Sequence, residues 1–235
     1  YYASRGLGDV YKRQPWGKGR PGWHLECSAM IHKYFGNDFD LHSGGVDLVF
    51  PHHENEVAQS RCACGGGFAR LWFHITHLLV DGGKMSKSLG NMYTLADLDK
   101  LGHRPSAVRY VLAGGYYRRP LNFTLSSLED AKAALNRLSK FDMQLRNASG
   151  TDSVPSYEEF CAAFPELGIF QPAWDSLNDD LNTPEALGHG FSAIRKADIP
   201  SLSPEEATRL RNAFHFILAA FGIILPEEGQ EEAPE

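Results

Sequence analysis

Two short stretches of this sequence carry side chains whose types and spacing suit chemistry. The first is Lys84-Met85-Ser86-Lys87-Ser88. Its two ammonium groups supply point charges, and the hydroxyls and backbone N–H groups beside them donate hydrogen bonds, a combination that can wrap a polyphosphate. The second is His52-His53-Glu54-Asn55-Glu56. On a helix, His52 and Glu56 project from one face four residues apart and offer an imidazole nitrogen and a carboxylate oxygen to a single cation. His53 with Glu56, three apart, is a rival pair, and acids at a helix start are also what the helix dipole favours.

Particular elements must hold these groups. Ahead of the lysine stretch, the apolar run Leu71, Trp72, Phe73, Ile75, Leu78, Leu79 and Val80 reads as a strand, and Asp81-Gly82-Gly83 as a sharp turn into an exposed loop. Upstream, Cys27, Met30, Ile31 and Tyr34 recur at helical spacing, which predicts a helix over Trp23–Phe35 with Cys27 on its apolar stripe. Taken alone, that cysteine reads as a small buried hydrophobe. Asp38 to His42 reads as a short strand, and Ser43-Gly44-Gly45 as a turn where a ligand can approach the backbone. Proline at a first helical position puts the start of the His/Glu helix at Pro51.

Past the loop the pattern becomes helical. Thr94 reads as an N-cap, Pro105 to Ala113 as a helix, and Leu125 to Leu145 as a long helix whose inner face is Leu128, Ala131, Leu135, Leu138 and Leu145. Asn147 to Pro155 reads as a linker. Further helices open at Pro184 and at Pro204, the last with Leu210, Phe214, Ile217, Leu218 and Phe221 inward.

Composition sets the bounds. With 235 residues, 43% of them hydrophobic and 22% charged, the chain is long enough to bury a sizeable core. Net charge is −6, but five acids lie within residues 227–235, leaving about −1 elsewhere, so any nucleic-acid surface must be a local basic patch. Four cysteines in a chain of this length argue for a reducing compartment. The apolar run Phe214 to Leu225 is 12 residues long and contains His215, too short to span a bilayer, so a cytoplasmic protein is expected.

The words Gly22-Trp23-His24-Leu25-Glu26-Cys27-Ser28-Ala29-Met30, Asp40-Leu41-His42-Ser43-Gly44-Gly45-Val46-Asp47-Leu48, Phe50-Pro51-His52-His53-Glu54-Asn55-Glu56 and Lys84 to Asn91 occur here in one order. In that order and spacing they resemble the cysteinyl-tRNA synthetases, and the lysine stretch resembles the second nucleotide-binding motif of class I synthetases. The similarity continues through Tyr110 to Phe123 and Asp179 to Leu187. The resemblance implies a zinc ion on Cys27, His52 and Glu56, with a further cysteine ligand upstream, and an amino-acid pocket lined by Trp23 and Asp47. It also implies an ATP site using His42, Gly44, Gly45, Lys84, Ser86 and Lys87, with Lys87 and then Lys84 stabilising charge on the phosphates. Ser43 stands where the family's turn usually has another glycine. The implied activity is ATP- and Mg2+-dependent activation of L-cysteine and its transfer to tRNA(Cys), by a monomer when the protein is full length. Arg118, Arg119, Arg137 and Arg146 become candidate phosphate contacts. Two other readings are a ligase joining cysteine to an amino sugar, and a non-catalytic zinc and tRNA-binding module.

The expected fold class is α/β, a partial Rossmann-like catalytic domain followed by an antiparallel helical bundle. Residues 1–14 show no periodicity and read as a foreign, adapter-like segment. Residues 15–103 read as the C-terminal half of the catalytic domain, 104–225 as the bundle and 226–235 as an acidic tail. The sequence has no His-x-Gly-His motif of the kind class I enzymes use, so the chain by itself is expected to be inactive in adenylate formation.

Overall fold

The computed structural model describes residues 12–14, 17–19 and 22–225, of which 12–14, 17–19 and 87 are described without their side chains. Residues 1–11 of the adapter-like segment and the whole acidic tail lie outside the described residues. The chain divides into two compact units, Tyr1–Ile75 and Thr76–Glu235.

In the first unit, β1 (Lys12–Gln14) and β2 (Gly17–Gly19) pair antiparallel with Arg13 opposite Lys18. The sequence reading had no strand here, because alternation is not visible over three residues. Helix α1 (Trp23–Phe35) has the bounds its spacing predicts. Its apolar stripe, however, is not buried: Met30 and Tyr34 are exposed, and the residue α1 does bury is Ser28. That hydroxyl donates to Gln59 Oε1 at 2.7 Å, so α1 turns a small polar face toward the next helix.

Strand β3 (Asp38–Gly45) runs through Ser43-Gly44-Gly45, where a turn was expected, because these residues stay in parallel register with β4 (Phe68–Ile75), Ser43 opposite Phe73 and Gly45 opposite Ile75. Gly44 is needed for packing: a Cβ there would stand 2.9 Å from Leu48 Cδ1 and 3.0 Å from His53 Cε1. A parallel pair requires a crossover, and α2 (Glu54–Cys64) supplies it. It begins at Glu54 and not at Pro51, because Val49–His53 form a widened turn broken by the extended backbone of Phe50.

The second unit opens with a β-hairpin. Strands β5 (Leu78–Val80) and β6 (Gly83–Lys84) are joined by Asp81 and Gly82, both at positive φ, which matches the twist of the strands. Thus the apolar run from Leu71 to Val80 is two strands in separate sheets. After α3 (Leu95–Lys100), capped by Thr94 and Asp97 as a capping box, and α4 (Pro105–Ala113) comes β7 (Leu121–Phe123), which pairs parallel with β5. That pairing, with Thr76 N–H donating to Tyr117 O at 2.9 Å, joins the hairpin to the helical body. The division into compact units falls after Ile75.

Helix α5 (Leu125–Ser149) starts at a Thr124 cap and ends at Gly150, φ 69, so it takes in Asn147 to Ser149 from the expected linker. Its expected inner face, Leu128, Ala131, Leu135, Leu138 and Leu145, is buried. It packs mainly against α4 and α9 (Pro204–Phe221) and shares one core with residues of α7 (Gln171–Asn178) and α8 (Thr183–Lys196), the short α6 (Tyr157–Ala162) also touching α9. Phe141, Phe170 and Phe214 meet at 5.1–6.3 Å in its centre. Among the described residues, no helix is long and apolar enough to cross a membrane.

Candidate functional site

In the first unit, side chains from five elements gather around Glu56. Helix α1 brings Trp23, His24 and Cys27; β3 brings His42; the widened turn brings His52 and His53; α2 brings Glu56; β4 adds Trp72 and His74. Glu56 is fully buried, and His52 and His53 nearly so. A buried carboxylate is costly unless its oxygens are occupied. One is: Oε2 stands 2.7 Å from His42 Nε2. The other, Oε1, lies 3.0 Å from His52 Nε2 yet has no hydrogen-bond partner among the described residues, so the imidazole is close but out of line.

Cys27, His52 and Glu56 each bring one donor atom within 4.8 Å of the others, as do His42, His53 and Glu56. The two sets are not equivalent. In the second, His42 already holds Glu56 Oε2, and His53 Nδ1 lies 2.8 Å from His74 Nε2. The first joins a thiol and an imidazole to the Glu56 carboxylate, a sulfur, nitrogen and oxygen set that suits zinc. His52 keeps Nε2 on this side because its Nδ1 is 2.6 Å from His24 Nδ1. The Trp23 ring packs 4.3 Å from the His52 ring.

Electrostatics follow from the crowding. Burial first, and then the negative charge of Glu56, raise the Cys27 thiol above its ordinary value; a bound cation reverses that preference. Burial, and then the neighbouring imidazole of His42, push His53 down to about 4, so His53 is neutral at pH 7.

The sequence-predicted residues separate as follows. Cys27, His52 and Glu56 come together, with Trp23 beside them. Asp47 sits exposed in the turn after β3 and, among the described residues, makes no hydrogen bond or ion pair with that cluster. His42, expected on the nucleotide side, has its Nε2 on Glu56, and Gly44 packs against His53. Sequence reasoning gave no role to His24 and His74. A signal for His74 exists in its alternation with Trp72 on β4, and one for His24 in its distance of three from Cys27.

The lysine stretch lies in the second unit. Lys84 ends β6 opposite Leu79 with its side chain exposed, and Lys87–Leu89 form one tight helical turn. Ser86 Oγ lies 2.8 Å from Ser88 Oγ and accepts the Leu89 N–H at 3.3 Å. Three of the four candidate phosphate arginines have side-chain partners within the fold. Arg118 pairs with Asp180, which also accepts the hydroxyls of Tyr116 and Tyr117. Arg146 pairs with Asp152, and Arg137 lies over the Phe191 ring; Arg119 is exposed.

Comparison with known proteins adds the following. The model of the tRNA synthetases class I (C) catalytic domain matches residues 3–133, a span that includes most of the adapter-like segment. A cysteine–tRNA ligase of Opitutus terrae is 51% identical over 191 residues, covering 80% of this chain and 38% of that protein. One of Brachyspira hyodysenteriae is 47% identical over 189 residues, and one of Caldicellulosiruptor saccharolyticus is 39% identical over 232, or 96% of this chain. The chain spans between 38% and 49% of the length of these relatives. Among solved structures, a LeuRS–tRNA–LeuAMS complex from Agrobacterium radiobacter matches 80% of this chain and 26% of its own with a TM-score of 0.57 at 16% identity. A Mycobacterium tuberculosis methionyl-tRNA synthetase bound by methionyl-adenylate matches 83% of this chain and 42% of its own with a TM-score of 0.52 at 17% identity. At those identities the structural likeness speaks for the fold alone.

Proposed function

The chain belongs to the class I (C) tRNA synthetase catalytic-domain family, and from that premise we propose that it is part of a cysteine–tRNA ligase. Such an enzyme activates L-cysteine with ATP and Mg2+ and transfers it to tRNA(Cys). The observation that carries the reading is the buried Glu56 carboxylate, which gathers with the Cys27 and His52 donors within 4.8 Å and whose Oε1 has no hydrogen-bond partner among the described residues. Zinc supplies the discrimination when bound: a thiolate is a far better ligand for it than an alcohol, whereas a pocket gauging size separates cysteine from serine only modestly.

The roles of the chain's own residues follow. Cys27, His52 and Glu56 hold the ion; His42 and His24 orient Glu56 and His52. Trp23 lines the amino-acid pocket and Asp47 receives the substrate ammonium. His42, Gly44 and Gly45 lie on the nucleoside side, and Lys84, Ser86 and Lys87 take the phosphates. As a cysteine carboxylate oxygen attacks the α-phosphorus and pyrophosphate leaves, Lys87, supported by Lys84, offsets the growing charge. The work is positioning and electrostatic stabilisation, with no covalent enzyme intermediate. The names of the relatives favour the tRNA ligase over the amino-sugar ligase. A cytoplasmic, monomeric full-length protein completes the proposal.

Zinc content and calorimetric binding of L-cysteine and L-serine to the purified chain test it. The expected result is about one zinc per chain, as one tetrahedral site holds one ion, and binding of cysteine in clear preference to serine. A folded chain that takes up no zinc, or that binds the two amino acids equally, contradicts it.

A further inference from the structure

The backbone of the lysine stretch has a structural problem that one side chain solves. Strand β6 is two residues long, and its pairing with β5 ends at Lys84 opposite Leu79. Peptide groups left without partners cost stability and leave the loop without a fixed course. Asn91 meets them. Its Oδ1 accepts the Ser86 N–H at 2.9 Å, and its Nδ2 donates to Lys84 O at 3.2 Å and to Val80 O at 3.5 Å.

A carboxamide is chemically a peptide group, with a donor and an acceptor held in one plane. Asn91 therefore acts as one more residue of ladder laid beside the end of the hairpin. Gly90, at φ 67, turns the chain so that the next side chain points back at this place, a backbone conformation that favours glycine. Aspartate has no donor for the two carbonyls, and glutamine sets the same amide one methylene too far out.

We propose that Asn91 is a positioning residue for the Lys84 to Ser88 loop, its amide standing in for a missing strand and fixing the backbone that carries Ser86 and both lysines. A corollary concerns phosphate recognition and rests on the nucleotide reading given above. The Ser86 N–H is committed to Asn91, so that amide is not among the donors this loop offers to a polyphosphate.

Amide hydrogen exchange in the 15N-labelled full chain tests the assignment, comparing the wild type with Asn91→Ala, Asn91→Asp and Asn91→Gln. Loss of one hydrogen bond is expected to speed Ser86 N–H exchange by about tenfold in the alanine and glutamine variants. Asn91→Asp, which keeps the acceptor, is expected to stay within about twofold of the wild type. Amides of α5 serve as the control and are expected not to change. Should Asn91→Ala fail to fold, the glutamine and aspartate variants decide by their difference. Ser86 exchange at the wild-type rate in the glutamine variant, or equal acceleration by aspartate and glutamine, overturns the assignment. Titration of the same samples with Mg–ATP addresses the nucleotide reading separately. If no loop amide shifts in the wild type, that reading and the corollary fail while the Asn91 clamp stands on the exchange data.

Discussion

His42 Nε2 lies 2.7 Å from Glu56 Oε2, so a histidine on β3 holds one oxygen of a fully buried carboxylate while its other oxygen is left for a different partner. This division of labour within one side chain gives the cluster a direction. A carboxylate with both oxygens satisfied by protein would have little reason to share a site with a thiol.

Removing the orienting partner should weaken metal binding without removing a ligand. His42→Ala is expected to lower zinc affinity by about 10- to 100-fold, the usual effect of losing a group that orients a metal ligand. Competition with a chromophoric chelator measures it, and Glu56→Gln should have the larger effect because it removes the anionic donor itself.

The helical unit has its own buried charge cluster. Arg211, 5% exposed, donates to Asp142 Oδ1 at 2.7 Å and to Thr151 O at 2.7 Å, and His215 Nε2 lies 2.6 Å from the same Asp142 oxygen. Arg211→Ala strands both the carboxylate and the carbonyl and is expected to cost about 3–5 kcal/mol, as breaking a buried ion pair does. Urea unfolding followed by helical circular dichroism reads the change.

Acid should act on the same cluster. Burial alone would raise the Asp142 carboxyl, but the hydrogen bonds from His215 and Arg211 outweigh it and hold the group at about 2, below its ordinary 3.8. A carboxylate depressed on folding contributes stability that is fully present above its unfolded value and is lost as pH falls through the folded value. Between pH 4 and pH 2, therefore, the urea midpoint of the wild type is expected to fall more steeply than that of Asp142→Asn.

Much of this architecture is legible in the sequence where the signal is local. The bounds of α1 and α4, the cap at Thr94, the helix start at Pro204 and the inner face of α5 follow from spacing and end residues that neighbouring turns of one helix decide. The errors arise where distant partners decide. Gly44 and Gly45 look like a turn until β4 pairs with them, and nothing in the local sequence marks Arg211 as the buried partner of Asp142, 69 residues away. In the site, helical spacing makes the pair His52 and Glu56 visible. The convergence of His24, His42 and His74 is not, because they come from α1, β3 and β4 and share no period.

The most direct measurement of the central claim is optical spectroscopy of the chain loaded with Co2+ in place of zinc. The expected spectrum has a thiolate-to-cobalt charge-transfer band that disappears in Cys27→Ala, weakens in His52→Ala and Glu56→Gln, and intensifies on addition of L-cysteine but not L-serine. A band that survives in Cys27→Ala, or a spectrum that cysteine leaves unchanged, would contradict a metal held by Cys27, His52 and Glu56 to recognise sulfur.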